Sequence, residues 1–193
     1  MRKKIKNKKR HVVVVGVDLS LTSPGICVGR SRINYQCESF QPPGPNKFPS
    51  HQHRCNYIAE EIIKKIQPWT SPLSNLLIVM EDYAFGASGH TFAIAENGGI
   101  LKYKLLHELG LPPASLVVVS PGQLKKYVSG NGNASKALMM KEVFKRWSYD
   151  AADDDEADAF GLFMIGLGLK DISPCQNAKQ EEVLKTVKER NQT

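Results

Sequence analysis

A chain of 193 residues and 21.4 kDa has room for one domain with a substantial core, and at 41% hydrophobic and 23% charged residues it reads as globular and soluble. The net charge of +7 is unevenly placed: residues 1 to 10, MRKKIKNKKR, hold seven of the 26 Lys and Arg residues and no acid, leaving 19 basic against 19 acidic groups in the rest. No uncharged stretch reaches the ~18 residues needed to span a bilayer, HVVVVGV is too short for a signal peptide, and the four scattered cysteines, Cys27, Cys37, Cys55 and Cys175, make no zinc-finger or disulfide framework. A reducing, cytoplasmic setting is the expectation.

Seven cations ahead of a formally neutral body, Arg2, Lys3, Lys4, Lys6, Lys8, Lys9 and Arg10, point to a flexible arm (residues 1 to 11) that reaches a polyanion. Nucleic acid fits better than membrane because no amphipathic helix accompanies the arm; a merely solubilising tail is the plainer account. Residues 12 to 18, VVVVGVD, are a β-branched run ending in an acid, the pattern of a central strand buried on both faces. LSLTSPG then turns the chain, and ICVG and INYQCES return as the second and third strands of an antiparallel series. Three early strands without a helix, and no Gly-rich phosphate loop, argue against a Rossmann unit.

After the Pro-rich connection SFQPPGPNKFPS, a helix is expected from about Ser50 to Gln67, with Ile58, Ile62, Ile63 and Ile66 on one face. NLLIVME repeats the grammar of the first strand, apolar residues and then a carboxylate. A glycine-containing loop, DYAFGASGH, leads to a helix from about Thr91 to Leu109, and SLVVVSP is the fifth strand. GQLKKYV is short and helical. The polar SGNGNAS introduces a helix through Trp147, in which Met140, Val143, Phe144 and Trp147 recur on one face. A last, nearly all-apolar helix begins near Asp153, and residues 174 to 193 read as a short charged helix or tail. The expected fold is α/β, one five-stranded mixed sheet whose first three strands are antiparallel, with helices on both faces.

The stretch DDDEAD, residues 153 to 158, sets five acids in six positions before that greasy helix. Asp153 as N-cap with Glu156 three residues on is a capping box, and acids in a first turn are favoured by ~0.3 to 1 kcal/mol each. That accounts less well for Asp155 and Asp158, three apart on one face at the end pulled toward the core. Like charges held close and partly desolvated want a cation between them. Asp18 and Glu81 each end an apolar strand, where α/β sheets bind ligands. If those strands are neighbours and the last helix crosses them, four carboxylates converge. Such a set suits hard divalent cations such as Mg²⁺, which want oxygen ligands. Two such ions ~4 Å apart would activate a water and stabilise the leaving oxygen of a phosphodiester.

Around this set the signals are weaker. Lys136, opening a helix after a Gly-rich loop, would contact a phosphate or steady a metal-bound water; a solvated lysine is the alternative. Lys125, Lys126, Lys141, Lys145 and Arg146 form a candidate DNA-backbone rim or ordinary surface charge. Tyr83 and Phe85 are placed either to stack on an unpaired base or wedge into a duplex, or to anchor their loop in the core.

The pieces VVVVGVDLSLTSPG, LLIVMEDYAF, VVVSPGQLKKYVSGNGNASK and DDDEADAFGLFMIG resemble, in order and over residues 12 to about 170, the RuvC family of Holliday-junction resolving endonucleases, which have the RNase H-like fold. The resemblance matches Asp18, Glu81, Asp155 and Asp158 to the family's catalytic acids, at spacings of 63, 74 and 3, and Lys136 to its lysine after a GNG-like loop. It implies a nuclease domain over 12 to 173 and a homodimer, formed through the helix at 91 to 109. It further implies paired nicks in a four-way DNA junction that depend on Mg²⁺, with Mn²⁺ as a substitute, and leave 5′-phosphate and 3′-hydroxyl ends. Where a bacterial member has Gln and, two residues further on, a junction-probing Phe, this chain has Asp82 and Ala84, with aromatics at 83 and 85. Together with the longer arm, this points to a phage-type or otherwise divergent member, at work in a bacterial cytoplasm or a phage-infected host. A broader branched-DNA nuclease, an RNase H-like hybrid nuclease and a non-catalytic DNA-structure-binding module are the rival readings.

Overall fold

The computed structural model describes residues 12–70, 75–82 and 91–191; the basic arm and the loop with Tyr83 and Phe85 lie outside the described residues. β1 (Val13–Asp18), β2 (Gly25–Ser31), β3 (Asn34–Ser39), β4 (Leu76–Glu81) and β5 (Leu116–Val119) make one sheet in the order β3-β2-β1-β4-β5. β1 pairs antiparallel with β2 and β2 with β3, whereas β4 lies parallel to β1 and β5 to β4. Tight turns can join only antiparallel neighbours, so the two later strands each arrive after a helix. The expected mixed sheet with three antiparallel leading strands is what forms.

Pleat parity sends alternate residues of the central strands to two cores. Val13, Val15, Val17, Leu76, Ile78 and Met80 face α1 (His51–Ile66) and α2 (Thr91–Tyr103). Val14, Leu77, Val79, Val117 and Val119 face α3 (Pro121–Ser129), α4 (Lys136–Trp147), α5 (Asp154–Leu169) and α6 (Ala178–Arg190). Ser50 caps α1 by accepting from His53 N, as its place before the apolar stripe leads one to expect. The buried Arg54 then donates to Leu21 O at 2.7 Å and Pro43 O at 3.2 Å, tying the turn after β1 and the Pro-rich connection to α1. Beyond Tyr103, α2 continues as a π-helical turn over Lys104–Glu108.

Helix α4 differs from the expected stripe. Met139 and Val143 are its buried residues, while Phe144 is 57% exposed. Of the repeat at 140, 143, 144 and 147, Val143 is buried and Met140 and Trp147 pack against the same core, while Met139 enters it in place of Phe144. Helix α6 buries Val183, Leu184 and Val187 in the core shared with α5, so its apolar stripe is a packing surface.

Helix α5 lies directly on β1 and β2. A Cβ on Gly16 would sit 2.2 Å from Ala159 O and 2.4 Å from Phe163 N, and one on Gly25 would sit 2.2 Å from Asp155 O. All three neighbours are backbone atoms, which cannot swing aside. We expect Gly16→Ala to destabilise the fold by about 3 kcal/mol, the upper part of the overpacking range, because α5 must lift off the sheet; urea unfolding of the variant beside the parent measures it.

Candidate active site

Asp18 ends β1 and Glu81 ends β4, one step beyond the Val17↔Met80 pair of the parallel ladder. Both share the parity of Gly16, so both project toward α5. Gly25 pairs with Asp18 across the β1–β2 ladder and is also where Asp155 O comes to rest. The first turn of α5 is thereby set over the ends of β1 and β4, with Asp155 and Asp158 on the side facing them.

The five acids of 153–158 turn out to have four different jobs. Asp153 is the N-cap: its Oδ1 accepts from Glu156 N at 2.8 Å, and its Oδ2 accepts from Ser39 Oγ at 2.5 Å, joining α5 to the end of β3. Glu156 is buried, held by the Tyr149 hydroxyl and by Ala152 N at 3.0 Å, so the reciprocal half of the capping box reaches one residue further back than the usual pattern. Asp154 forms an ion pair with Lys136. Asp155 and Asp158 join the cluster with Asp18 and Glu81.

Electrostatics report the convergence. Asp18 is raised well above its ordinary 3.8, first by burial, then by Glu81, Asp158 and Asp155, and its carboxyl shares a hydrogen bond with Asp155. Burial, then Asp158, pushes Glu81 up to about 7, opposed by Lys125. Burial, then Asp154, pushes Asp158 up to about 6, opposed by Lys125 and Lys136. Asp155 is raised by burial, although hydrogen bonds with Asp18 and with the Ser23 hydroxyl act in the other direction. Burial first, and mutual repulsion second, pushes four acids from three distant segments toward their neutral forms.

Among the described residues, no three or more His, Cys, Asp or Glu side chains are preorganised as a metal cage. Asp18 and Asp155 lie within hydrogen-bonding reach of one another. The donor set nevertheless fits a hard divalent ion: all-oxygen, multiply anionic and flanked by only two lysines. Asp158 Oδ1 is buried with no hydrogen-bond partner among the described residues, an orphaned acceptor. Asp18, Glu81, Asp155 and Asp158 are the residues that would hold Mg²⁺ or Mn²⁺.

The basic residues separate by position. Lys125 is half-buried and faces Glu81 and Asp158, closer to the cluster than a rim position implies. Lys136 opens α4 beside Asp154. Lys126 points to α6, where it pairs with Glu182 at 2.7 Å. Lys141 is exposed on α4. Arg2, Lys3, Lys4, Lys6, Lys8, Lys9, Arg10, Tyr83 and Phe85 fall outside the described residues.

Two serines went unread in the sequence. Ser20 Oγ accepts from Ser23 N at 3.1 Å and Thr22 N at 3.2 Å, shaping the turn that brings the Ser23 hydroxyl to Asp155. A serine two residues after a strand-end acid is a turn signal of this kind, but the target of Ser23 is 132 residues away in the chain.

No family model matches the chain. It is 26% identical over 164 residues, 79% of this chain and 96% of the relative, to the crossover junction endodeoxyribonuclease RuvC of Synechococcus sp. (strain WH7803). To the protein of the same name from Synechococcus sp. (strain CC9311) it is 30% identical over 92 residues, 47% of this chain and 55% of that relative. Among solved structures, Thermus thermophilus RuvC superposes with a TM-score of 0.61 at 17% identity, over 83% of this chain and 98% of that one. T. thermophilus RuvC in complex with Holliday junction substrate gives 0.59 at 17% identity, over 80% and 91%. The chain has the RNase H-like fold in its RuvC form and is distantly related to the RuvC endonucleases.

The raised carboxylates carry a pH signature. Glu81 moves from 4.5 to about 7 and Asp158 from 3.8 to about 6, so between those values the folded chain keeps protons that the unfolded chain has released. The contribution of these two acids to the stability of the metal-free protein is therefore greatest below about pH 4 and is lost as pH rises through about 7. Thermal melts from pH 4 to 8 should show this decline, and added Mg²⁺ should reverse it at the upper end, where the acids are ionised.

Proposed function

We propose that the chain is a metal-dependent endonuclease that cuts branched DNA and resolves four-way junctions by paired strand nicks. The observation that carries this reading is the meeting of Asp18, Glu81, Asp155 and Asp158 from three segments, with one buried acceptor left unpartnered. A capping role explains Asp153 and Glu156 and leaves these four acids as an electrostatic cost that Lys125 and Lys136 offset only in part. The distant relationship to RuvC supports the same substrate class.

Bound divalent ions would supply charge neutralisation and a water acidic enough to attack a phosphodiester. The chain's own residues do the rest. β1 and β4 fix Asp18 and Glu81 side by side, and α5 presents Asp155 and Asp158 from the opposite wall. Ser23 orients Asp155, and Asp154 holds Lys136 at the mouth of the site. Lys125 and Lys136 are the cations nearest the acids and would draw the scissile phosphate toward them. Lys141, the basic arm, Tyr83 and Phe85 are assigned to the flanking DNA, and Lys126 contributes charge while tied to Glu182.

Two incisions in a symmetric junction call for two sites related by a twofold axis. The outward side of α2 supports pairing with a second copy: Phe92 is 87% and Tyr103 60% exposed, and the Cβ position of Gly99 between them meets no atom within 4 Å. The bacterial or phage-infected host cytoplasm remains the proposed setting; no helix among the described residues is long and apolar enough to cross a membrane.

Cleavage of strand-labelled four-way junction, flap, linear duplex and RNA/DNA hybrid in Mg²⁺ tests the reading. Symmetric nicks in the junction should fall by a factor on the order of 10³ in Asp18→Asn and Asp155→Asn, the loss of a principal electrostatic group, while junction binding persists in Ca²⁺. Preference for the hybrid would reassign the enzyme, and intact substrates throughout would leave a DNA-structure-binding module. The dimer has its own check: Phe92→Glu combined with Tyr103→Glu should convert a sedimenting dimer to monomer.

A further inference from the structure

The carboxyl ends of β4 and β5 are gripped from outside the sheet by the last turn of α6. Arg190 forms an ion pair with Asp82, the residue directly after Glu81. Beside it, Asn191 accepts at Oδ1 from Val118 N at 2.9 Å and donates from Nδ2 to Val118 O at 3.1 Å. Its side-chain amide thus takes the place of a further strand on the β5 edge. Asp82 N donates to Val119 O at 2.7 Å, carrying the β4–β5 ladder one residue past Glu81. Two adjacent residues of α6 therefore hold both strands at the level of the acid cluster.

The rest of α6 is fastened to α3. Lys126 pairs with Glu182 at 2.7 Å, Gln123 Nε2 donates to Thr186 Oγ1 at 3.2 Å, and Gln180 Nε2 donates to Tyr127 O at 3.2 Å. Helix α3 also carries Lys125, which faces Glu81 and Asp158. One helix consequently sets the separation between an acid-bearing strand and the cation that faces it. Val183 and Val187, buried in the core, make α6 a rigid support for this.

We propose that Arg190 is a positioning residue of the active site: through Asp82 it fixes the end of β4, and with it the direction in which Glu81 meets Asp18 and Asp158. This rests on the endonuclease reading above. A partly exposed ion pair adds little to global stability, so its effect on the site separates from any effect on folding.

The test is a double-mutant cycle in the full chain: Arg190→Gln, Asp82→Asn, both together, and Arg190→Lys as the conservative control. Three readouts are taken: kcat and KM on strand-labelled junction in Mg²⁺, Tb³⁺ luminescence titration as a metal probe without turnover, and the melting temperature. Each single variant should lose about tenfold in kcat with KM little changed, as for a small misplacement of a reacting group, and should bind Tb³⁺ more weakly. The double variant should be no worse than either single, Arg190→Lys should keep most activity, and melting should hardly move. Wild-type kcat in Arg190→Gln, or losses that multiply in the double variant, overturn the proposal. If the parent cuts no substrate, the endonuclease reading fails separately and the Tb³⁺ titrations decide: equal affinity in parent and Arg190→Gln, or no binding by the parent, removes the positioning role.

Discussion

Helix α5 touches the sheet backbone to backbone, and the site depends on that contact. Gly16 and Gly25 lack the Cβ that would meet Ala159 O, Phe163 N and Asp155 O at little more than 2 Å. Because the axis of α5 comes so near to β1 and β2, the first turn of a buried helix ends directly above a strand-end aspartate. An ordinary helix-on-sheet spacing would hold Asp155 and Asp158 several ångströms further from Asp18 and Glu81. The register is secured at the same end by Ser39 on Asp153 and by the Tyr149 hydroxyl on Glu156, two polar locks on the one stretch of α5 that must not slide.

The contact brings a cost with it. Four carboxyls are drawn out of water and toward one another, and each is pushed toward its neutral form. Lys125 and Lys136 offset part of this, and Lys136 is itself engaged by Asp154. The cluster is an instance of local destabilisation held in place by the surrounding fold, the usual condition of a site built to receive a charged ligand. Hard oxygen donors and a buried acceptor with no hydrogen-bond partner among the described residues describe the same demand for positive charge.

Compared with the RuvC structures it resembles, this chain uses about five-sixths of its length for the matched fold. Several contacts gather at the end that carries the acid cluster: Asp82 after Glu81, and an α6 that reaches β4 and β5 through Arg190 and Asn191. An edge strand is normally a liability, open to pairing with another chain. Here it is closed by an asparagine one residue from the ion pair that holds Asp82.

Much of this was legible in the residues. VVVVGVD and NLLIVME announced two buried strands ending in acids, the isoleucine stripe at 58, 62, 63 and 66 announced α1, and the spacing of Asp155 and Asp158 put them on one helical face, because strand and helix periodicities are local properties that a short window contains. The stripe of α4 shifted at one position, where neighbours decide: packing took Met139 into the core beside Val143 and left Phe144 in solvent. The division of labour within DDDEAD was equally undetermined, since capping, clamping, ion pairing and cation holding draw on the same side chain. The sequence by itself determined which acids were available, the strand types and the mixed-sheet class. The tertiary structure alone decided that residues 18, 81, 155 and 158 meet, that Ser23 and Lys125 attend them, and that α6 grips the end of β4, because strand order, close approach at glycine and contacts between distant segments are set by the packing of the whole chain and by no local pattern within it.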